Sequence, residues 1–117
     1  MATSRDDVIS GSKAAARLRE AAIEVFAENG YGGTTTRQIA ARLDMSPAAM
    51  YPHYKSKEEL LYAIGYEGHA LALRVVQDAD ISDADATERL ATIIRRFAEW
   101  QAENHSRARV VQYELTA

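Results

Sequence analysis

Between Thr34 and Lys57 the chain reads TTTRQIAARLDMSPAAMYPHYKSK, and no other stretch restricts its possible folds so tightly. Two helix starts and a forced turn are packed into 24 residues. Thr35 offers a hydroxyl N-cap. Gln38, three positions on, completes a capping box that satisfies two backbone donors no intrahelical carbonyl can reach. Ile39, Ala40 and Leu43 then recur on one face at helical spacing. Asp44 interrupts the pattern, and aspartate tolerates the left-handed backbone of a tight turn better than most side chains. Ser46 is a second N-cap, and Pro47 takes the first helical position, where its missing N–H leaves nothing unsatisfied. Met50 and Tyr54 are placed to point back toward the first helix. Helix, three-residue turn, helix: the pattern predicts a helix-turn-helix.

A unit of this kind reads DNA by laying its second helix in the major groove while the first crosses the backbone. On the outer faces Thr34, Thr36, Arg37, Tyr51, His53, Lys55 and Lys57 supply donors with no need of burial. From Asn29 to Lys57 the cations Arg37, Arg42, Lys55 and Lys57 oppose only Asp44, a local balance of +3. Periodicity by itself fits a solvated helical hairpin equally well.

Four linked blocks separate the two readings. They are AAIEVFAENGY (21–31), TTRQIA (35–40), MSPAAMY (45–51) and HYKSKEELL (53–61). In this order and at these separations they resemble the DNA-binding domain of TetR-family transcriptional repressors, over residues 15–61. A lone helix-turn-helix pattern is a weak signal, whereas four blocks in register are specific.

The flanking sequence predicts further helices. Residues 1–11 show no sustained period and are expected to form an arm. Ser12 can cap a helix running to Asn29, with Gly30 as a left-handed stop. Leu18, Ala22, Val25, Phe26 and Asn29 share a stripe that Ile23 widens, and Phe26 is the expected anchor for the two helices that follow. Ser56 and Glu59 form a second predicted capping box. It opens a long helix with apolar positions at Leu60, Leu61, Ile64, Leu71, Ala72, Val75 and Val76. Gly65 and Gly68 interrupt this helix, as a bend or, the preferred reading, as a site of close packing. An acidic linker, DADISDAD (78–85), leads to a helix capped by Asp85 with Leu90, Ile93, Ile94, Phe97 and Trp100 on a broad apolar face. Ser106 is the expected cap of one more helix, patterned by Val110, Val111, Tyr113 and Leu115. The fold class is therefore all-α: a helix-turn-helix head over 12–57, then a linking helix and the start of a helical regulatory domain over 58–117.

Charge and composition narrow the function. The net charge is −3, but residues 1–57 carry eight Lys/Arg against six Asp/Glu, and residues 58–117 carry six against eleven. The positive half is the one holding the helix-turn-helix, where it would steer association with phosphate. A chain without cysteine has no thiol nucleophile, disulfide or cysteine-based zinc site. There is no Gly-rich phosphate loop, and the Glu58–Glu59 pair is explained by the dipole at a helix start. No enzyme activity or cofactor is implied. No apolar run approaches a membrane span and no signal-peptide core opens the chain, so the expected location is cytoplasmic.

The resemblance implies an all-helical homodimer that binds double-stranded DNA and is released by a small-molecule effector held in its C-terminal domain. Position by position, Thr36 and Lys57 match phosphate-clamping residues, and Arg37 a phosphate or base contact. The DNA-facing set is Thr35, Thr36, Arg37, Ser46, Pro47, Ala48, Ala49, Tyr51, His53, Tyr54, Lys55 and Lys57. Leu71, Val75, Phe97, Trp100 and Gln101 are the candidates to reach a ligand, with hydrophobic core as their alternative role. Three departures stand out. Asp44 replaces the usual turn glycine, Ala48 and Ala49 replace a glycine and a hydroxyl residue, and Pro52 is expected to end the recognition helix early. They motivate the alternative of a helical protein-interaction module that keeps the fold without reading DNA. The family fold takes well over 117 residues, so a fragment or an unusually short member is expected, with most of the dimer surface missing and Leu71, Phe97, Trp100 and Val111 exposed.

Overall fold

The computed structural model describes residues 12–114, and all of their regular structure is helical. The expected arm at 1–11, Leu115 and the side chain of Tyr113 lie outside the described residues. The helices are α1 (Lys13–Asn29), α2 (Thr36–Arg42), α3 (Pro47–Met50), α4 (Lys57–Ala79), α5 (Ala86–Glu103) and α6 (His105–Glu114).

Helix α1 starts where Ser12 Oγ accepts the Ala15 N–H at 3.1 Å. It stops at Gly30, whose φ of 74° and ψ of 162° are open in practice only to glycine. Leu18, Ala22, Ile23, Val25 and Phe26 are buried, while Asn29, on the same predicted stripe, is exposed at the end of the helix. The turn that follows is sealed from within. Thr34, expected on an outer face, is only 1% exposed, because the Gly-rich turn folds it under the end of α1. Its hydroxyl there donates to the Gly30 carbonyl at 2.7 Å, an acceptor the helix has left unpaired. The same turn passes so close to α1 that a Cβ on Gly33 would lie 2.5 Å from the Asn29 carbonyl oxygen.

Both bonds of the first capping box are present: Thr35 N–H to Gln38 Oε1 at 2.9 Å and Gln38 N–H to Thr35 Oγ1 at 3.2 Å. Asp44 adopts a φ of 54°, the left-handed turn its residue type tolerates. Ser46 Oγ then caps α3 by accepting the Ala49 N–H at 3.1 Å. Helix α3 has only four residues. Pro52 has no N–H to give the Ala48 carbonyl and its ring collides with it, so the early end expected from sequence is what the fold adopts. His53 N–H instead bonds Met50 O at 2.9 Å, in a tight turn.

Helix α4 is capped by Ser56 Oγ, which accepts the Glu59 N–H at 3.2 Å. The predicted reciprocal bond does not form. Glu59 Oε2 accepts the Lys55 N–H at 2.8 Å, since the extended chain entering Ser56 leaves that donor within the carboxylate's reach. The helix continues unbroken through Gly65 and Gly68. Gly68 faces α6, where a Cβ would lie 3.4 Å from Val111 Cγ2 and 3.7 Å from Arg107 Cδ, ordinary contact distances, so the packing there does not require a glycine. Asp85 caps α5 through the Glu88 N–H at 2.8 Å. Ser106 is not a cap. Helix α6 starts at His105, because Asn104 alone closes α5 and its carbonyl accepts the Ala108 N–H at 2.9 Å.

One apolar cluster joins Leu18, Phe26, Ile39, Met50, Leu60 and Ile64 to Val110 of α6. Each such large side chain contributes on the order of 1.5–3 kcal/mol by leaving water. The cluster crosses position 57, so α6 packs back onto the head and shares its core. Leu71, Phe97, Trp100 and Val111 are half-buried, contrary to expectation, because α4, α5 and α6 pack on one another. Among the described residues the exposed large apolar side chains are instead Tyr51, Tyr62, Leu73, Ile81, Leu90 and Ile94.

Candidate nucleic-acid interface

The helix-turn-helix presents a face whose composition follows from which side chains the fold has consumed. Met50 is fully buried, which leaves Ala48, Ala49 and Tyr51 in solvent on and after α3. Thr35 and Ser46 use their hydroxyl oxygens as cap acceptors, so each keeps a hydroxyl proton to donate outward. Thr36 and Pro47 are half-buried at the first positions of their helices, and His53 is exposed, with Nδ1 3.5 Å from Ser12 Oγ.

The cations divide into two kinds. Arg37 and Lys55 are exposed, and their side chains have no ion-pair partner among the described residues. Arg42 is committed to α1, with Nη2 2.7 Å from Glu28 Oε2 and Nη1 3.2 Å from Glu24 Oε2. Its hydrogen bond holds the Glu28 carboxyl below the usual range, and the two carboxylates raise the guanidinium in turn. Lys57 is half-committed. Its Nζ donates to the Tyr31 and Thr34 carbonyls at 2.9 and 3.1 Å and sits 4.3 Å from the Tyr31 ring centroid. It thereby ties the start of α4 to the turn after α1. The predicted local balance of +3 thus overstates the charge turned outward.

Tyr54, counted among the DNA-facing residues and also expected to point back toward the first helix, does the latter. It is half-buried against the core, and its hydroxyl accepts a hydrogen bond from Arg19 Nη1 at 2.8 Å. This bond opens a buried ionic network that the sequence reading missed. Arg19 Nε lies 2.7 Å from Glu67 Oε2. Arg107 Nη2 lies 2.6 Å from Glu67 Oε1 and 2.8 Å from Glu20 Oε1. Arg19, Glu67 and Arg107 are 3%, 7% and 7% exposed, so two guanidinium groups share one interior carboxylate. Burial pulls the Arg19 guanidinium down, but its Tyr54 and Glu67 contacts outweigh that and hold it above its ordinary value. A signal was available in the register. Glu67 falls on the Leu60–Ile64–Leu71 stripe, and Arg19 stands three and seven residues before Ala22 and Phe26.

The five candidate ligand residues, Leu71, Val75, Phe97, Trp100 and Gln101, are all half-buried on α4 and α5. Phe97 and Trp100 have ring centroids 6.1 Å apart. A cleft of about 400 Å³ takes only Val75 and Trp100 of the five, and its other walls are Arg95, Arg96, Glu99 and Glu103. No group of three or more His, Asp or Glu side chains that could hold a metal ion occurs among the described residues. No helix among them is long and apolar enough to cross a membrane.

Residues 18–64 match the family model of bacterial regulatory proteins of the tetR family. The chain is 31% identical over 99 residues to the fatty acid metabolism regulator protein of Bacillus subtilis, covering 85% of this chain and 51% of that protein. It is 39% identical over 44 residues to the biofilm operon icaADBC HTH-type negative transcriptional regulator IcaR of Staphylococcus epidermidis, covering 38% of this chain and 24% of that one. Among solved structures, a bacterial regulatory protein in the tetR family from Rhodococcus RHA1 superposes with a TM-score of 0.86 at 59% identity, over 90% of this chain and 55% of that one. The chain spans about half the length of the fatty acid metabolism regulator and of the Rhodococcus protein.

Proposed function

This chain belongs to the TetR family of bacterial transcriptional regulators, and on that footing we propose that it reads DNA as part of a dimeric repressor released by a hydrophobic effector. The observation that carries the reading is the division of labour on the helix-turn-helix. Its caps and Met50 are satisfied internally, while Arg37, Ala48, Ala49, Tyr51 and Lys55 stay in solvent. Arg37 and Lys55 suit phosphate, which fixes register on the duplex. Ala48 and Ala49 offer methyl groups and no donors, a surface complementary to the methyl of thymine. Two such heads in a dimer would enter successive major grooves roughly 34–36 Å apart, giving a palindromic operator.

Release follows if an effector binds one head spacing better than the other, since a ligand shifts an equilibrium only by its differential affinity. The half-buried Leu71, Val75, Phe97, Trp100 and Gln101 are the residues we assign to its approach. A relative named for fatty acid metabolism supports an acyl-type effector, and one named a negative regulator supports repression. Such a protein works in the cytoplasm.

The test is DNA affinity against salt, with randomised duplexes and the variants Arg37→Ala and Lys55→Ala. Lys57 is a poor probe because its ammonium also holds the Tyr31–Thr34 turn. The expected result is a steep fall in affinity with salt, a selected palindrome, and a slope lowered by about one in each variant. Weak, salt-independent binding that ignores both variants would sink the DNA reading and favour a protein-interaction module, the role to which the four-residue α3 and the committed Arg42 also lend themselves.

A further inference from the structure

A groove on the head takes no part in the reading given above. It lies between α1 and the end of α2, holds about 420 Å³, and has Ala16, Ala21 and Leu43 for its floor. Charges of both signs line its rim: Arg17, Glu20 and Glu24 from α1, and Arg42 from α2. None of the DNA-facing residues contributes to it, so a head on a duplex still presents it. We propose that a second copy of this chain docks here, α1 antiparallel to α1, and that copies on neighbouring DNA sites thereby bind cooperatively.

Three observations carry this. First, the face of α1 is self-complementary in charge. Its exposed stripe begins with Lys13 and Arg17 and ends with Glu24 and Glu28. That order is the reverse of what the helix dipole favours, so α1 by itself does not explain it. An antiparallel crossing centred between Glu20 and Ala21 sets Arg17 of each copy opposite Glu24 of the other, and Lys13 opposite Glu28. Within one chain Arg17 and Glu24 stand roughly 10 Å apart along the helix, too far to pair. Second, the groups that would meet are available. Lys13 and Arg17 are exposed and have no ion-pair partner among the described residues. The single Arg42 serves both Glu24 and Glu28, which leaves one negative charge over at that end. Third, the crossing point is clear. Ala21 offers only a methyl group, and Glu20 beside it is drawn aside to Arg107 of α6 at 2.8 Å. The patch is far smaller than the roughly 20–30 residues a side of a stable free complex. It therefore serves copies that DNA already holds side by side, at high effective concentration.

The DNA part of this proposal rests on the reading given under Proposed function, and the contact itself does not. The isotope-labelled full chain is titrated with unlabelled chain to millimolar concentration, and the amide resonances of 13–28 and 43 are followed. They are expected to move in the parent chain and to stand still in Arg17→Glu and in Glu24→Lys, each of which sets like charges opposite. Mixed together, the two variants face opposite charges at both 17–24 pairs, and the resonances are expected to move again. A merely local effect of either substitution would not give that rescue. Both positions are exposed, and Arg42 keeps Glu28 when Glu24 is replaced, so both variants are expected to fold. On a duplex carrying two selected operators, the second should fill about fivefold or more tighter than the first. In Arg17→Glu the two are expected to fill independently, with affinity for a single operator changed less than about twofold. Resonances that ignore the mixing overturn the proposal, as does independent filling by the parent chain at every operator spacing. Should the chain bind no duplex, the DNA reading fails while the mixing still decides whether copies meet here.

Discussion

Helices α1 and α5 have 17 and 18 residues, and α5 has the more sharply two-sided sequence, yet eight residues of α1 are buried and none of α5. The difference lies in neighbours. Helix α1 is packed by α2, α4 and α6 together, whereas α5 rests chiefly on α4. Leu90 and Ile94, at 59% and 58% exposure, keep their apolar surface in water although their spacing is as regular as that of Leu18 and Phe26. Periodicity states which face of a helix seeks cover, and only the surrounding chain supplies it.

The largest expected effect that tests this contrast is Phe26→Ala. The side chain is wholly enclosed in the shared core, so its loss should cost about 3–5 kcal/mol. A lower urea midpoint at unchanged slope is the expected signature. A loss below about 1 kcal/mol would mean that α1 is not the centre of packing. Next comes Gly30→Ala. Its positive φ with extended ψ strains any side chain, at about 1–3 kcal/mol, read in the same titration. Acid has a smaller effect, and its sign follows from the carboxylates. Arg42 holds Glu28 low, Arg89 holds Asp80 low, and Glu58 is held low by its own backbone N–H and then by the Tyr31 hydroxyl. Groups depressed in the folded state add stability that is complete above the ordinary carboxylate range and is lost as pH falls through their folded values. The melting temperature should therefore be level from neutral pH and drop below about pH 4. Replacing Glu28 by Gln should blunt that drop; an unchanged acid limb would show the Arg42 pair to be inert. Smallest of all is Leu90→Ala, expected within about 0.5 kcal/mol because its side chain already faces water. A loss well beyond that would show that α5 is covered in solution, and the comparison with α1 would then collapse.

The head was largely legible before its structure. Ser12, Thr35 with Gln38, Ser46 with Pro47, and Asp85 each cap where their order along the chain places them. Asp44 and Gly30 turn with the positive φ their residue types allow, and Pro52 cuts α3 short. The failures are as instructive. Glu59 reached Lys55 in place of Ser56, and Asn104 displaced Ser106 as the break before α6, because several adjacent donors compete within one turn. At the candidate interface, exposure of Arg37, Ala48, Ala49, Tyr51 and Lys55 agreed with their expected outward placement, Thr34 proved interior, and the half-buried Tyr54 turned its hydroxyl to Arg19 of α1, the direction its spacing predicted.

What the sequence determined by itself is most of what is decided within about four residues: the caps at Ser12, Thr35, Ser46 and Asp85, the stop at Gly30, the turn at Asp44, and the period of each apolar face. Hydrogen bonds of that range follow residue type and order wherever one donor and one acceptor stand clear of competitors. The tertiary structure decided which charges meet. Arg19 finds Glu67 48 residues away, and Arg107 finds Glu20 across 87. One arginine on a helix reads much like another until packing removes water from it. Arg42 then becomes a rim contact with α1, Lys57 a tie for a turn, and Arg19 and Arg107 the two arms of a buried carboxylate.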